Sequence, residues 1–222
     1  GRQLSSADIG VLASLGLAEV DVYRRLKVAF FSTGDELRAV GEALGPGEIH
    51  DSNRYTLYGL LQKLGVELID LGVVRDRREL IEQAFREAAA RADAVITSGG
   101  VSVGEADFVK ETLEKLGRMS FWKIAMKPGR PVTFGHIDGA ALFGLPGNPV
   151  SALVSFHQLV KPAVLKMMGA VAEESLTLPV RLQDAFPQKP DRLNLLRGFM
   201  RTAGLGLFMI QRKIAFSVAR SG

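Results

Sequence analysis

The chain has 222 residues, 24.0 kDa and a composition 47% hydrophobic and 23% charged, which excludes disorder as its main state because enough apolar surface is present to offset ordering entropy. No run approaches the roughly 18 apolar residues of a membrane span, no basic and apolar leader opens the chain, and the lack of cysteine excludes disulfides, thiolate zinc sites and cysteine catalysis. The net charge of +4 comes wholly from residues 171–222, because residues 1–170 hold 20 basic and 20 acidic side chains. The basic residues there are scattered and not interleaved with aromatics, so neither nucleic acid nor a membrane is an expected partner, and a reducing cytoplasm is the expected compartment.

Residues 1–25 read as a remnant of another domain. Ser6-Ala7-Asp8 can cap a short helix to Leu15, Gly16 ends it, and Ala18 to Tyr23 alternates like an edge strand. From Leu26 the pattern turns regular. Val28 to Phe31 is a buried strand ending in the polar loop Ser32-Thr33-Gly34-Asp35-Glu36. Asp51-Ser52-Asn53 caps a helix running to Lys63, with leucines at helical spacing. Val66 to Val74 is a second strand, and Asp76 with Glu79 resembles a capping box opening a helix to Arg91. Asp93 to Thr97 is a third strand. It leads into Ser98-Gly99-Gly100-Val101-Ser102-Val103-Gly104, then a helix capped by Asp107 and ended by Gly117. This alternation predicts a three-layer α/β/α unit with a mostly parallel sheet. Short strands follow at Met119 to Ala125, Pro131 to Gly135 and Ala141 to Gly144, with a turn at His136 to Gly139. Asn148 as N-cap and Pro149 at the first helical position open a helix to about Met168. Alternation after residue 175 predicts a small C-terminal β domain. The domain division expected is thus 1–25, 26–171 and 172–222.

In an open parallel sheet, ligands bind beyond the carboxyl ends of the strands. Four polar loops fall there: Ser32 to Glu36, Arg75-Asp76, Ser98 to Asp107, and Leu145 to Pro149. The glycines and serines after the third strand suit backbone N–H approach to an anion, or simply a tight turn. Neither a Walker A loop nor the dinucleotide fingerprint is present. Lys123 and Lys127, four apart, would share one face of a strand and suit a phosphate or oxyanion; the bland alternative is two solvated lysines. Asp35, Glu36, Asp76 and Asp107 are carboxylates suited to Mg2+ completed by substrate phosphate, although Asp76 and Asp107 also explain themselves as helix caps. Pro146 and Pro149 can rigidify a turn or wall a pocket. His50, His136 and His157 lack ligand spacing.

Five motifs occur in order: Ser32-Thr33-Gly34-Asp35-Glu36-Leu37, Asp51-Ser52-Asn53-Arg54, Ser98 through Asp107, Phe121-Trp122-Lys123-Ile124-Ala125-Met126-Lys127-Pro128-Gly129, and Leu145-Pro146-Gly147-Asn148-Pro149-Val150-Ser151. On these residues the chain resembles the molybdopterin molybdenumtransferase family, the MoeA and gephyrin E-domain proteins, over about residues 1–200. The resemblance implies a four-domain homodimer whose active site lies between the catalytic domain of one subunit and an N-terminal domain of the other. It implies insertion of molybdate into adenylylated molybdopterin, with release of AMP and Mg2+ as the cation. By motif match, Glu36, Asp76 and Asp107 would hold the cation, molybdate or water, and Lys123 and Lys127 would bind molybdate or phosphate. Asn53, Ser98, Gly99, Gly100 and Ser102 would contact phosphate or pterin, and Pro146 and Pro149 would shape the pocket wall. A molybdopterin adenylyltransferase and molybdoenzyme-loading proteins are the implied partners. The alternative functions are an adenylyltransferase acting on molybdopterin and a non-catalytic, gephyrin-like binding module.

Overall fold

The computed structural model describes residues 1, 3–99, 108–170, 192–198 and 214–217. The chain opens with helix α1 (Ser6–Ser14), closed by a reciprocal capping box between Ser5 and Asp8. The cap is therefore Ser5, one residue before the predicted position. The helix buries none of its residues, and Val20, Val22 and Tyr23 beyond it are exposed. Ala18 to Tyr23 forms no strand, because alternation without a neighbouring ladder leaves backbone groups unpaired.

Strand β1 (Lys27–Thr33) is buried from its second residue onward. The two-residue strands β2 (Leu37–Arg38) and β3 (Ile49–His50) pair with each other. Helix α2 (Ser52–Leu64) is capped by Asp51, whose carboxylate accepts from the Arg54 amide at 3.1 Å, and Gly65 ends it in the left-handed region. It buries Leu57 and Leu61, each stabilising by about 1.5–3 kcal/mol. Strand β4 (Glu67–Val74) follows, then helix α3 (Arg78–Arg91), strand β5 (Ala94–Ser98) and helix α4 (Phe108–Leu116). Strands β6 (Gly117–Lys123), β7 (Met126–Lys127), β8 (Pro131–Ile137) and β9 (Ala140–Leu145) come next. The helix α5 (Pro149–Ser155) continues through one wide turn at Phe156–Val160 into α6 (Lys161–Met167). Asn148 caps α5 with Pro149 in its first turn, as the sequence predicts.

The central sheet has six strands in the order β4-β1-β5-β9-β8-β6. The first four are parallel, while β8 runs antiparallel to β9, and β6 to β8. Alternate residues of the parallel strands feed two cores. Val28, Phe30, Ile96 and Phe143 meet Leu57, Leu61, Phe156 and Val164 on one face. Ala29, Phe31, Val95 and Leu142 meet Ile81, Phe85, Val109 and Leu113 on the other. Helices thus cover both faces, the predicted three-layer arrangement. The turn before β9 is only Asp138-Gly139, with His136 inside β8 rather than in the turn.

Two departures bear on the site. Asp76 does not cap α3: the N-cap is Arg77, without a side-chain bond, and the Asp76 amide instead donates to Asp35 Oδ1 at 3.1 Å. Lys123 and Lys127 do not share one strand, because Ile124 and Ala125 separate β6 from β7. Of the stretch expected as a C-terminal β domain, the described residues hold β10 (Leu193–Gly198) and β11 (Ile214–Ser217), an antiparallel pair; β10 also pairs with β7. Asp107, the expected cap of α4, lies outside the described residues.

Candidate active site

All four parallel strands point their carboxyl ends to one edge of the sheet. Since β8 is antiparallel to β9, its first residue Pro131 lies at that edge too, and Lys123 pairs with Pro131 in the ladder. The Lys127-Pro128-Gly129-Arg130 segment directly precedes Pro131, so topology brings it to the same edge. The Lys127–Pro128 bond is cis. Gly129 packs so closely that a Cβ there would stand 2.6 Å from Ser155 Oγ on α5. This segment therefore abuts the helix that leaves the Leu145 to Pro149 loop.

A bulge aims the β4 loop. Between Phe30↔Asp70 and Ser32↔Val73, Leu71 and Gly72 oppose the single residue Phe31. Gly72 takes φ +80°, a conformation that favours glycine. Asp70 Oδ1 holds the bulge by accepting the Gly72 amide at 2.9 Å and Arg54 Nε at 2.7 Å. The Asp70 carboxylate also holds the Arg54 guanidinium above its ordinary pKa through that hydrogen bond. Because the side-chain period of a strand is two, the extra residue decides which way Val73, Val74 and the following Arg75-Asp76 face.

Beyond the bulge, the β1 and β4 loops are joined. Gly34 donates to the Val74 carbonyl at 3.3 Å, Arg75 Nη1 to the Asp35 carbonyl at 2.8 Å, and the Asp76 amide to Asp35 Oδ1. The Glu36 carboxylate folds over Gly34, so that a Cβ on that glycine would stand 2.7 Å from Glu36 Oε2. Asp35 thus links Glu36 on one loop to Asp76 on the next, and is itself an exposed residue of this edge.

At the centre, Gly99 donates to the Leu145 carbonyl at 3.2 Å. It takes φ +91°, and a Cβ there would lie 2.4 Å from the Thr33 carbonyl oxygen, so only glycine fits. Asn53, 8% exposed, donates to Ser98 Oγ at 2.7 Å and to the Gly147 carbonyl at 2.8 Å. Pro146 is buried beneath this loop, whereas Gly147, Asn148 and Pro149 are exposed. The Asn148 carboxamide oxygen caps α5 by accepting from Val150 and Ser151, each at 3.1 Å. Four buried polar atoms at this edge, Ser32 Oγ, Thr33 Oγ1, Thr97 Oγ1 and Asp51 Oδ2, have no hydrogen-bond partner among the described residues. Leaving buried polar groups unpaired costs on the order of 1–3 kcal/mol each. Two more such atoms among the described residues, Thr112 Oγ1 and Ser155 Oγ, lie on α4 and α5.

The described structure thus gathers Glu36, Asp76, Asn53, Ser98, Gly99 and Pro146 on one edge, with Pro149 opening the adjoining helix and Lys127, an exposed residue, on the segment beside it. Gly100, Ser102 and Asp107 lie outside the described residues, as does the Lys123 side chain. Among the described residues, no three histidine, aspartate or glutamate side chains stand together as a metal-holding group. Nor is any described helix long and apolar enough to cross a membrane. Sequence reading placed Asp35 and Thr33 in the loop at this edge but missed Thr97, and it gave Asp35 no role in tying the loops together. Thr33 ends β1 rather than lying in the loop, and Thr97 looks like an ordinary strand residue until the sheet aligns it. A separate depression of about 550 Å3, lined by Lys27, Glu67, Asp70 and Arg91 together with Leu68, Ile69 and Ala90, runs along the edge strand.

Comparison with known proteins agrees with this arrangement. The sequence profile described as "Probable molybdopterin binding domain" matches residues 29–166. The molybdopterin molybdenumtransferase of Haemophilus influenzae is 57% identical over 169 residues, which are 76% of this chain and 42% of that protein. The enzyme of the same name from Nostoc is 42% identical over 187 residues, 82% of this chain and 43% of its own length. The chain therefore spans less than half the length of these relatives. Among solved structures, the molybdopterin biosynthesis moea protein from Pyrococcus horikosii superposes with a TM-score of 0.74 at 30% identity, covering 99% of this chain and 51% of that one. The MoaB protein from Thermus, at 20% identity and a TM-score of 0.51, covers 65% of this chain and 97% of its own and shares the fold. With the profile matching part of every strand of the six-stranded sheet and its loop-bearing edge, the chain belongs to the molybdopterin-binding domain family.

Proposed function

We propose that this chain is the catalytic portion of a molybdopterin molybdenumtransferase. It would insert molybdate into adenylylated molybdopterin, releasing AMP and the molybdenum cofactor. One observation carries the reading: the polar loops share one sheet edge in a chain 57% identical to a protein of that name. The catalytic unit would span residues 26–171, acting in the cytoplasm within a homodimer that supplies the rest of the site.

The chemistry follows from the edge. The glycines of the Ser98 to Gly104 motif suit close backbone approach to a phosphate or a pterin edge. Lys127 supplies a cation for molybdate or phosphate oxygen, with Lys123 as its partner by motif. Pro146 and Pro149 give the pocket a rigid wall. Glu36 and Asp76 offer oxygen donors on loops that Asp35 ties together, and this set fits Mg2+, which takes one or two carboxylates plus substrate phosphate. Bound there with Asp107, Mg2+ would neutralise charge developing on the phosphoanhydride. The same carboxylates would orient the water that cleaves the adenylyl group, since a held water reacts faster than a diffusing one.

The test uses the full-length protein with purified adenylylated molybdopterin. AMP release that requires both molybdate and a divalent cation is the expected result. Transfer of AMP from ATP to molybdopterin would instead identify an adenylyltransferase. Neither reaction, with peptide capture, would identify a binding module.

A further inference from the structure

We infer that Asn53 is a positioning residue that clamps two loops of the site, rather than the substrate contact its motif suggests. This rests on the reading of the carboxyl edge as the active site. The side chain is 8% exposed and stands in the first turn of α2. One carboxamide nitrogen carries both bonds, to Ser98 Oγ at 2.7 Å and to the Gly147 carbonyl at 2.8 Å. A carbonyl only accepts, so the nitrogen, not the oxygen, must face Gly147; the orientation of the amide is thereby decided. Its two N–H donors are then both spent inside the protein, leaving none for a ligand.

What those bonds join is the reason for the assignment. Ser98 ends β5 and begins the Ser98 to Asp107 loop; Gly147 lies in the Leu145 to Pro149 loop, 94 residues from Asn53 in sequence. The backbones already approach closely: Gly99 donates to Leu145, and a Cβ on Gly147 would meet Gly99 Cα at 3.8 Å. Asn53 adds the helix α2 as a third, rigid body to that junction. With one of its two lone pairs engaged by Asn53, the Ser98 hydroxyl keeps its own hydrogen to donate. The clamp therefore sets both the spacing of the two loops and the direction in which Ser98 can donate. Asp51, the cap two residues earlier, is 1% exposed and anchors the same helix end.

The experiment compares wild type with Asn53→Ala and Asn53→Asp in the full-length protein, with AMP as the binding probe. Asn53→Asp keeps the shape, so it remains informative if Asn53→Ala fails to fold. Amide exchange at Gly99, read without any ligand, is expected to speed at least tenfold in both variants. AMP affinity is expected to fall about tenfold, and kcat/KM for cofactor formation about 10²-fold, the cost of misplacing bound groups by an ångström. The Asn53→Asp deficit should narrow as pH falls, because the neutral acid regains one donor and burial raises the pKa at which it forms. Unchanged Gly99 exchange with weakened binding would show a direct substrate contact and overturn the inference. Faster exchange with unchanged binding and turnover would reduce the clamp to a structural bond and overturn it equally. If wild type makes no cofactor, the proposed function has failed, while exchange and AMP affinity still decide the clamp.

Discussion

At the amino end of β5, Asp93 leaves nothing unpaired. Its carboxylate accepts the Lys27 amide at 2.8 Å and both Arg24 nitrogens at 2.8 and 2.6 Å. Its own amide donates to the Lys27 carbonyl, and its carbonyl accepts from Ala141, so one residue binds β1, β5 and β9 together. At the carboxyl end of the same strands, the Ser32, Thr33 and Thr97 hydroxyls are buried and unpartnered among the described residues. Gly99 and Gly72 hold backbone conformations that other residues avoid. Among the described residues, Asp93 at one end is fully paired while three buried hydroxyls at the other are not. The difference separates an end that holds the strands together from an end that carries the polar loops of the candidate site.

Glu36→Gln and Asp76→Asn in the full-length protein are expected to lower molybdate-dependent turnover on the order of 10²–10³-fold, as removal of a preorganised electrostatic group does. Their melting temperatures should stay near wild type, since Glu36 is exposed and Asp76 is not a helix cap. A large loss of stability with normal turnover would place both residues among the structural ones.

Gly99→Ala is expected to cost stability as well as turnover. The added Cβ would face the Thr33 carbonyl at 2.4 Å in a left-handed conformation, a strain of about 1–3 kcal/mol. Denaturant unfolding measures it, and a neutral result would mean that the β1 and β5 ends separate freely.

Asp93→Asn sharpens the contrast from the other side. It should destabilise by about 1–2 kcal/mol, discounted for the partly exposed pair, and leave turnover intact where the protein remains folded. The pH dependence follows from the same group. Arg24, by hydrogen bonding, and the Lys27 amide hold the Asp93 carboxyl below its ordinary pKa, against some desolvation. A depressed carboxylate contributes its full stability above the unfolded value, about 3.9, and loses it as pH falls through the lower folded value. The stability gap between wild type and Asp93→Asn should therefore be constant above about pH 5 and close progressively below about pH 4. A gap that persists under acid would assign it to packing.

The smallest expected effect is Gly72→Ala. Nothing would collide with the new methyl, so only the φ +80° backbone is penalised, at about 1 kcal/mol. Turnover should fall slightly more than stability predicts, because the bulge aims Arg75 and Asp76. Equal losses in both would show that the bulge does no more than complete the ladder.

Local signals carried a large part of this architecture. The Asn148-Pro149 start, the Gly65 stop and the apolar run Val28 to Phe31 appear where their own chemistry puts them, because caps, left-handed glycines and buried strands depend on a few neighbouring residues. The motif residues Glu36, Ser98, Gly99 and Pro146, and Asp76 after the second strand, were named before any sheet was in view, and the described fold brings them to one edge. Where local chemistry had a distant competitor, it misled. Asp76 reads as a helix cap, yet Asp35 captures its amide from the neighbouring strand end. Ala18 to Tyr23 alternates like a strand but finds no ladder. Lys123 and Lys127 look like one face of one strand until β8 and β10 claim separate stretches of backbone. The bulge at Gly72, the close approach of Gly99 to Thr33 and the Asn53 bridge to Gly147 join residues tens of positions apart. Short-range periodicity holds no record of such contacts, which exist only once parallel strands have been brought into register and their ends share an edge.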